Sequence, residues 1–480
     1  TGATIGTDTT VMTWAGTRLP KGWTQAGHGH SADEVRDWVS LRFHRPGTDD
    51  TGKPGPRVTI YRASGWIDRD QEEATSPAEL RAAFMLLLDG LRATFGSVVG
   101  ETYGVPLKGT PAATGFELVR RTLPRKRGGA AHQYPILDTD TQNLIRAHCG
   151  QARNENFCIT NHSSGGAHIP DRIPGMFVYD MRFAYAALCD LEMPCGPVER
   201  DQVPEIAMRG RGWEPCLYQI RVTVPQDWDR VGRFRYRDTG DDEWVYPSEP
   251  GTTFVSWAWE NALIQADRDG WKLGEHIEIL QRVRFTGPKT KPLLTFGTHL
   301  RDLRDEWIPA QKDVPDRVRE LAKIMARQIA IATIGKLAAA PYKKLFTCPI
   351  DDLESRPAHA RPSDDGKRWE WREKVATGDD LAHPEWAAYI WERCRDWLYD
   401  HPGQPGAGLR YVPRDQLLVA RTDGFWTSTP QPINDTGKIG AFRPQLAHTQ
   451  PLTTPRSYPE LNATRAALEA AAATTGEAKQ

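Results

Sequence analysis

Three stretches carry side chains whose types and spacing suit chemistry on a polyanion. In "GMFVYD" (175–180) an apolar strand pattern delivers Asp180 to its C-terminal end, where a carboxylate can leave the core, and Tyr185 follows one turn into the helix-like "RFAYAALCDL". In "RELAKIMARQIAIATIGK", Arg319, Lys323 and Arg327 recur at i, i+4 and i+8 and so share one helical face. Such a row suits a triphosphate, whose oxygens accept charge-assisted hydrogen bonds. In "LLVARTDGFW" (417–426) a strand pattern breaks at Arg421, Thr422, Asp423 and Gly424, which puts a carboxylate on an Asp-Gly hairpin turn. Each stretch alone has a plain reading: a helix cap for Asp180, a solvated face for the cations, an ordinary turn for Asp423. Together they supply what phosphoryl transfer by two metal ions requires. Two divalent cations about 4 Å apart need shared carboxylates, and a leaving triphosphate needs fixed positive charge.

The elements that must position these residues are legible in outline. "RVTIYRA" (57–63) reads as a strand, and "SPAELRAAFMLLLDGLRATFG" (76–96) as a helix opening at Ser76-Pro77 and stopping at Gly96. The basic run "RRTLPRKRGG" (120–129) suits a linker or exposed loop. From 136 to 300 strand and helix patterns alternate, with "CLYQIRVTV" (216–224) a strand and "WAWENALIQADRDG" (257–270) a helix ended by glycine. Residues 315–340 give the strongest helical pattern, interrupted at Gly335; a polar insertion (351–375) and an amphipathic helix (383–400) follow. The Thr-, Pro- and Ala-rich tail after 446 is expected to be partly disordered, with a short alanine-rich helix. No repeat of 20–50 residues is visible.

Bulk properties narrow the function. The 480 residues suffice for two to four domains, and 61 Lys+Arg against 62 Asp+Glu leave a net charge of −1. A uniformly basic coat for nucleic acid is excluded, so any polyanion site is a local groove. No apolar run approaches the roughly 20 residues that span a bilayer, so a soluble, cytoplasmic protein without a membrane partner is expected. The seven cysteines form no Cys-x-x-Cys pair, which argues for reduced thiols rather than disulfides or zinc. The 17 tryptophans lie mostly in amphipathic segments, where packing explains them. "HGH" (28–30) has no second ligand cluster, "RGRGW" (209–213) reads as a glycine turn, and Glu260 as a solvated or paired side chain.

The order Asp, basic helix, Asp-in-hairpin resembles the family B DNA polymerases, and within them the protein-primed type of phages and linear plasmids. Of that family's first motif, Asp-x-x-Ser-Leu-Tyr, Asp180 and Tyr185 are kept and the Ser is lost. Of the second, Lys-x-x-x-Asn-Ser-x-Tyr-Gly, Arg327 and Gly335 keep a cation and the glycine, while Ile331, Ala332 and Ile334 replace Asn, Ser and Tyr. Of the third, Tyr-x-Asp-Thr-Asp-Ser, Thr422 and Asp423 remain, and Arg421 stands where the first Asp would be. "IRAHCGQAR" (145–153) is similar to the template-contacting segment, and "TGKIGAFR" (436–443) to the primer-terminus segment.

The resemblance implies an α+β polymerase right hand: an antiparallel-sheet palm, helical fingers, a reduced thumb and a degenerate α/β N-terminal domain. Its expected divisions are 1–135 N-terminal, 136–300 palm with an insertion, 301–345 fingers, 346–445 second palm part with a polar insertion, and 446–480 thumb or tail. It implies two Mg²⁺ or Mn²⁺ at Asp180 and Asp423, a triphosphate at Lys323 and Arg327, and deoxyribose over Tyr185. Template would lie at His148, Gly150 and Arg153, and the primer end at Lys438. Partners would be a DNA template and primer, dNTPs, and a protein primer or accessory clamp, in a phage or mobile-element setting. Asp70-Gln71-Glu72 lies in a polar run rather than an apolar strand, so the family's exonuclease is expected to be absent or a remnant. An arginine at 421 either reaches the metal pocket and repels cations or turns aside. The rivals are a palm-shaped protein without catalysis that binds nucleic acid, and a glycosidase with paired carboxylates.

Overall fold

A computed structural model describes residues 65–68, 71, 74–99, 107–123, 134–150, 153–159, 169–201, 215–237, 244–339, 343–351, 353, 356–357, 360–362, 367–374 and 381–475, with four strands between Thr9 and Arg62. At its centre is a five-stranded antiparallel sheet, in the order Phe442–His448, Met176–Met181, Gly424–Thr427, Leu417–Arg421, Asn154–Asn156. The middle strands read as continuous apolar runs because both faces are covered, and on Met176–Met181 only Asp180 escapes full burial. Tyr179, Phe425 and Phe442 stack across one face, with neighbouring ring centroids 5.2 Å apart. Val178, Asp180, Gly424 and Trp426 belong to the other face by strand alternation.

Helices cover the sheet. Ser76 and Glu79 form a reciprocal capping box at the start of Pro77–Val99, with Glu79 Oε2 accepting from Ser76 N at 2.9 Å. That helix runs through Gly96 instead of stopping there, and Asp316–Ala338 likewise runs through Gly335 without interruption. Gly335 is exposed with open space around it, so its cost is only the usual helix-propensity penalty of about 1 kcal/mol, which the buried face from Val318 to Leu337 outweighs. Pro384–Tyr399 matches the expected helix, but it is buried almost all round. Its polar side chains are therefore paired internally: Glu392 with Arg235 and Arg395, and Asp396 with Asn261.

The insertion after Met176–Met181 is a second antiparallel sheet, ordered Thr253–Trp259, Cys216–Thr223, Ile277–Phe285, Val198–Asp201, with its own apolar core. Here Trp257 to Trp259 belong to a strand rather than a helix, because they pair with Gln219 to Leu217; the helix is only Glu260–Arg268. The polar insertion folds on Lys343–Pro349 and Arg368–Lys374, an antiparallel pair joined by Arg361–Pro362. Arg120 and Arg121 close the helix Pro111–Thr122 instead of lying in a linker, while 124–129 falls outside the described residues. The tail forms the 18-residue helix Tyr458–Thr475, longer than the short alanine-rich helix expected and anchored by the fully buried Leu461, while 476–480 falls outside the described residues. All seven cysteines are free and buried, and among the described residues no helix is long and apolar enough to cross a membrane. Asp70, Glu72, "HGH" and "RGRGW" fall outside the described residues.

Candidate active site

Asp180 pairs across the sheet with Gly424, and Asp423 is the residue just before it, so two carboxylates from distant segments meet at one sheet end. The hairpin loop is Thr422-Asp423, with Gly424 already the first residue of the returning strand; the expected Asp-Gly turn is displaced by one residue. Gly424 serves close approach instead. A Cβ there would lie 2.6 Å from Tyr179 O and 3.5 Å from Asp180 Oδ1.

Thr422 has φ 51°, a left-handed conformation costly for a β-branched residue, and three contacts hold it there. Its N–H donates to Arg153 O at 2.7 Å, its carbonyl accepts from Cys394 Sγ at 3.5 Å, and the next carbonyl, Asp423 O, accepts from Met181 N at 2.8 Å. Phe183, φ 52°, lies three residues past Asp180. These are the two non-glycine residues with positive φ among the described residues, and each sits beside one of the carboxylates.

The carboxylates open into a cavity of about 230 Å³, lined also by Arg327, Arg421, Gln445 and Arg465. Burial holds the Asp180 carboxyl above its usual range against the pull of Arg327, Arg443, Arg465 and Arg304. Burial, then repulsion from Asp180, push Asp423 up to about 7. Two desolvated carboxylates that repel each other are stabilised by a shared cation. The Arg327 guanidinium, 3.7 Å from Asp423 Oδ2, supplies part of that charge.

No third His, Cys, Asp or Glu joins them into a larger metal-binding group among the described residues. A hard cation such as Mg²⁺ is commonly held by one or two carboxylates, with water and substrate phosphates completing its octahedron. The pair therefore fits a divalent cation carried in part by its substrate, and does not fit an all-protein cage.

Of the expected phosphate ligands, Arg327 reaches the site, while Lys323 donates to Glu320 at 2.7 Å. Arg319 binds the carbonyls of Gln311 and Val314 in the preceding turn. Tyr185 is buried, close enough to Asp423 and Cys394 that both help raise its hydroxyl well above the usual range after burial itself. Arg153 is buried against Glu155 with Tyr246 under its guanidinium at 4.2 Å, so its side chain does not face a duplex. His148 is exposed and stacked on Trp257, Gly150 lies against Trp244, and Lys438 is exposed on the loop before the edge strand. Arg421 stays in the cavity lining, with its guanidinium drawn toward Asn156, donating to Oδ1 at 3.2 Å and lying 5.9 Å from the Trp426 ring.

Sequence reasoning missed Gln445, Arg443 and Arg465. Gln445 is the extra residue of a β-bulge between Pro444 and Leu446, which re-aims it to donate to Asp180 Oδ2 at 2.8 Å. Arg443 pairs directly across from Asp180. Its position inside "TGKIGAFR" was a usable signal, whereas Arg465 lay in the tail, where only a short alanine-rich helix was expected.

No protein-family model and no curated protein matches the sequence. Solved structures do. The chain is similar to Phi29 DNA polymerase complexed with primer-template DNA, at 12% identity and a TM-score of 0.53, over 91% of this chain and 72% of that one. Its orthorhombic crystal form gives a TM-score of 0.54 at 12% identity, over 91% and 72% of the two chains. The ternary complex with primer-template DNA and incoming nucleotide gives 0.52 at 12% identity, over 91% and 73%. The fold is polymerase-like.

Proposed function

We propose that the chain is a DNA-directed nucleotidyltransferase that extends a primer with deoxynucleotides, of the protein-primed family B type, without proofreading. The observation that carries this reading is the meeting of Asp180 and Asp423 in one cavity beside Arg327, on a polymerase-like fold. In right-hand terms the five-stranded sheet is the palm, Asp316–Ala338 the fingers, and Tyr458–Thr475 a reduced thumb.

Divalent cations, two in this reading, would be held by Asp180 and Asp423 and supply Lewis acidity to the primer hydroxyl and the phosphates. Gln445 fixes the Asp180 carboxylate through Oδ2 and leaves Oδ1 on the Gly424 side. Arg327 is 40% exposed, so it can turn from Asp423 to the β- and γ-phosphates when a nucleotide enters. The primer 3′ hydroxyl then gives its proton to solvent as its oxygen bonds to the α-phosphorus, the bridge to the β-phosphate breaks, and pyrophosphate departs. Tyr185 forms the floor beneath the sugar. His148, Gly150 and Lys438 take template and primer backbone.

A second reading, a non-catalytic nucleic-acid-binding subunit, is favoured by Lys323's pairing with Glu320 and by Ile331, Ala332 and Ile334 at the family's Asn, Ser and Tyr positions. Thermal shift separates the two. An enzyme is expected to gain several degrees with Mn²⁺ plus a dNTP, more than with either alone, and to extend a primer. Stabilisation by DNA only, without metal-dependent nucleotide binding, would favour the subunit.

A further inference from the structure

Resting on the polymerase reading, we propose that Arg421 and Arg465 form a phosphodiester subsite that grips the last internucleotide phosphate of the primer strand. The sheet register aligns Asn154, Arg421, Gly424, Asp180 and Arg443 in one row across four neighbouring strand pairings. Side chains opposite one another in a sheet share a face, so Arg421 and Asp180 emerge on the same side, separated by a glycine. Strand spacing of about 4.8 Å places their backbones roughly 10 Å apart. Gly424 leaves that interval open as a floor along which a nucleic-acid backbone can lie.

Two elements converge on the Arg421 end of this row. The Arg421 and Arg465 guanidiniums lie 5.9 and 5.1 Å from the same buried indole, Trp426, and both line the cavity that holds Asp180 and Asp423. Asn156, fully buried, accepts from Arg421 through Oδ1 and donates through Nδ2 to the Tyr458 hydroxyl at 2.9 Å. It thereby fixes the helix that carries Arg465 against the strand that carries Arg421. Both guanidiniums are held before any ligand arrives, which lowers the entropic cost of binding.

The charge balance selects the ligand class. Arg465 donates through Nε to Glu469 at 2.7 Å, so that pair is neutral as a unit. Arg421 has no carboxylate partner among the described residues, and its buried Nε has no hydrogen-bond partner there. One uncompensated positive charge, presented with a planar donor fork, matches a phosphodiester monoanion better than a triphosphate, which falls to Arg327. The cation at position 421 thus acts on the strand being extended and need not oppose the metal site.

Fluorescence anisotropy with a labelled primer–template duplex tests this, comparing the normal duplex with one whose last primer linkage is an uncharged methylphosphonate. Wild-type protein is expected to bind the neutral-linkage duplex about tenfold more weakly. Arg421→Gln and Arg465→Gln should each bind the normal duplex several-fold more weakly and lose little more on the neutral linkage. The log-affinity against log-salt slope should fall by about 0.7–0.9 for Arg421→Gln, the value of one phosphate contact, and by less for Arg465→Gln. Arg421→Lys should recover part of the affinity, and moving the neutral linkage three positions upstream should cost wild type and variants equally. Losses that simply add, with wild type binding and extending DNA, overturn the subsite alone; wild type that neither binds nor extends DNA overturns the polymerase reading with it. If Arg421→Gln fails to fold, Arg465→Gln, which leaves Asn156 undisturbed, carries the same coupling test.

Discussion

Gly424 is the residue on which the two carboxylates depend. Any side chain there would press on Tyr179 O, and the hairpin strand would have to move away from its partner. Gly424→Ala is therefore expected to cut nucleotide incorporation at least tenfold by displacing Asp423 from Asp180, with far-ultraviolet circular dichroism unchanged. Near wild-type incorporation would show that the close strand approach does not set the site. At this scale the sequence disclosed the charged ends of apolar strands, because Asp180 interrupts an otherwise apolar run and Asp423 follows the break of another at Arg421-Thr422. It could not disclose Gln445, whose role arises from a bulge that leaves no local pattern, nor the cross-strand register that sets Arg443 opposite Asp180. Spacing correctly placed Arg319, Lys323 and Arg327 along a helix but was silent on their partners, and only Arg327 reaches a carboxylate of the site.

Between elements, buried carboxylates join what backbone pairing leaves separate. Glu260 opens the insertion helix, accepts from Cys216 N on the neighbouring strand at 3.2 Å, and accepts from the Tyr389 hydroxyl of the buried helix at 2.7 Å. Burial pushes its carboxyl up to about 7, against those hydrogen bonds. The folded protein therefore holds a proton on Glu260 that the unfolded chain releases near its ordinary 4.5. Stability from this group is full below pH 4.5, declines as pH rises toward 7, and levels off above. Glu260→Gln keeps an oxygen for Cys216 and an amide for Tyr389 without ionising. The melting temperature of the variant relative to wild type is expected to climb from pH 5 to pH 7 and then stay constant. A difference that does not vary with pH would show that Glu260 ionises equally easily in both states. Sequence patterns located the strand and both helices here, but assigned Trp257 to Trp259 to the helix, because two tryptophans around an alanine fit either periodicity until a partner strand is present.

For the whole molecule, a net charge of −1 conceals a local field: Arg304, Arg327, Arg421, Arg443 and Arg465 gather around two aspartates at one end of the sheet. Five separate elements of the chain contribute to that gathering, which composition averages away. The tail illustrates the same limit. Its alanine-rich stretch suggests only a short helix, yet Leu461 anchors an 18-residue helix that brings Arg465 to the site. The central question for the molecule is whether Asp180 and Asp423 drive nucleotide incorporation. Primer extension with Mg²⁺ or Mn²⁺, measured for wild type, Asp180→Ala and Asp423→Ala beside DNA affinity, decides it. Metal-dependent dNTP addition by wild type, lost at least a thousandfold in each variant with duplex affinity within a few-fold, is the predicted result. Incorporation that survives both substitutions would contradict it.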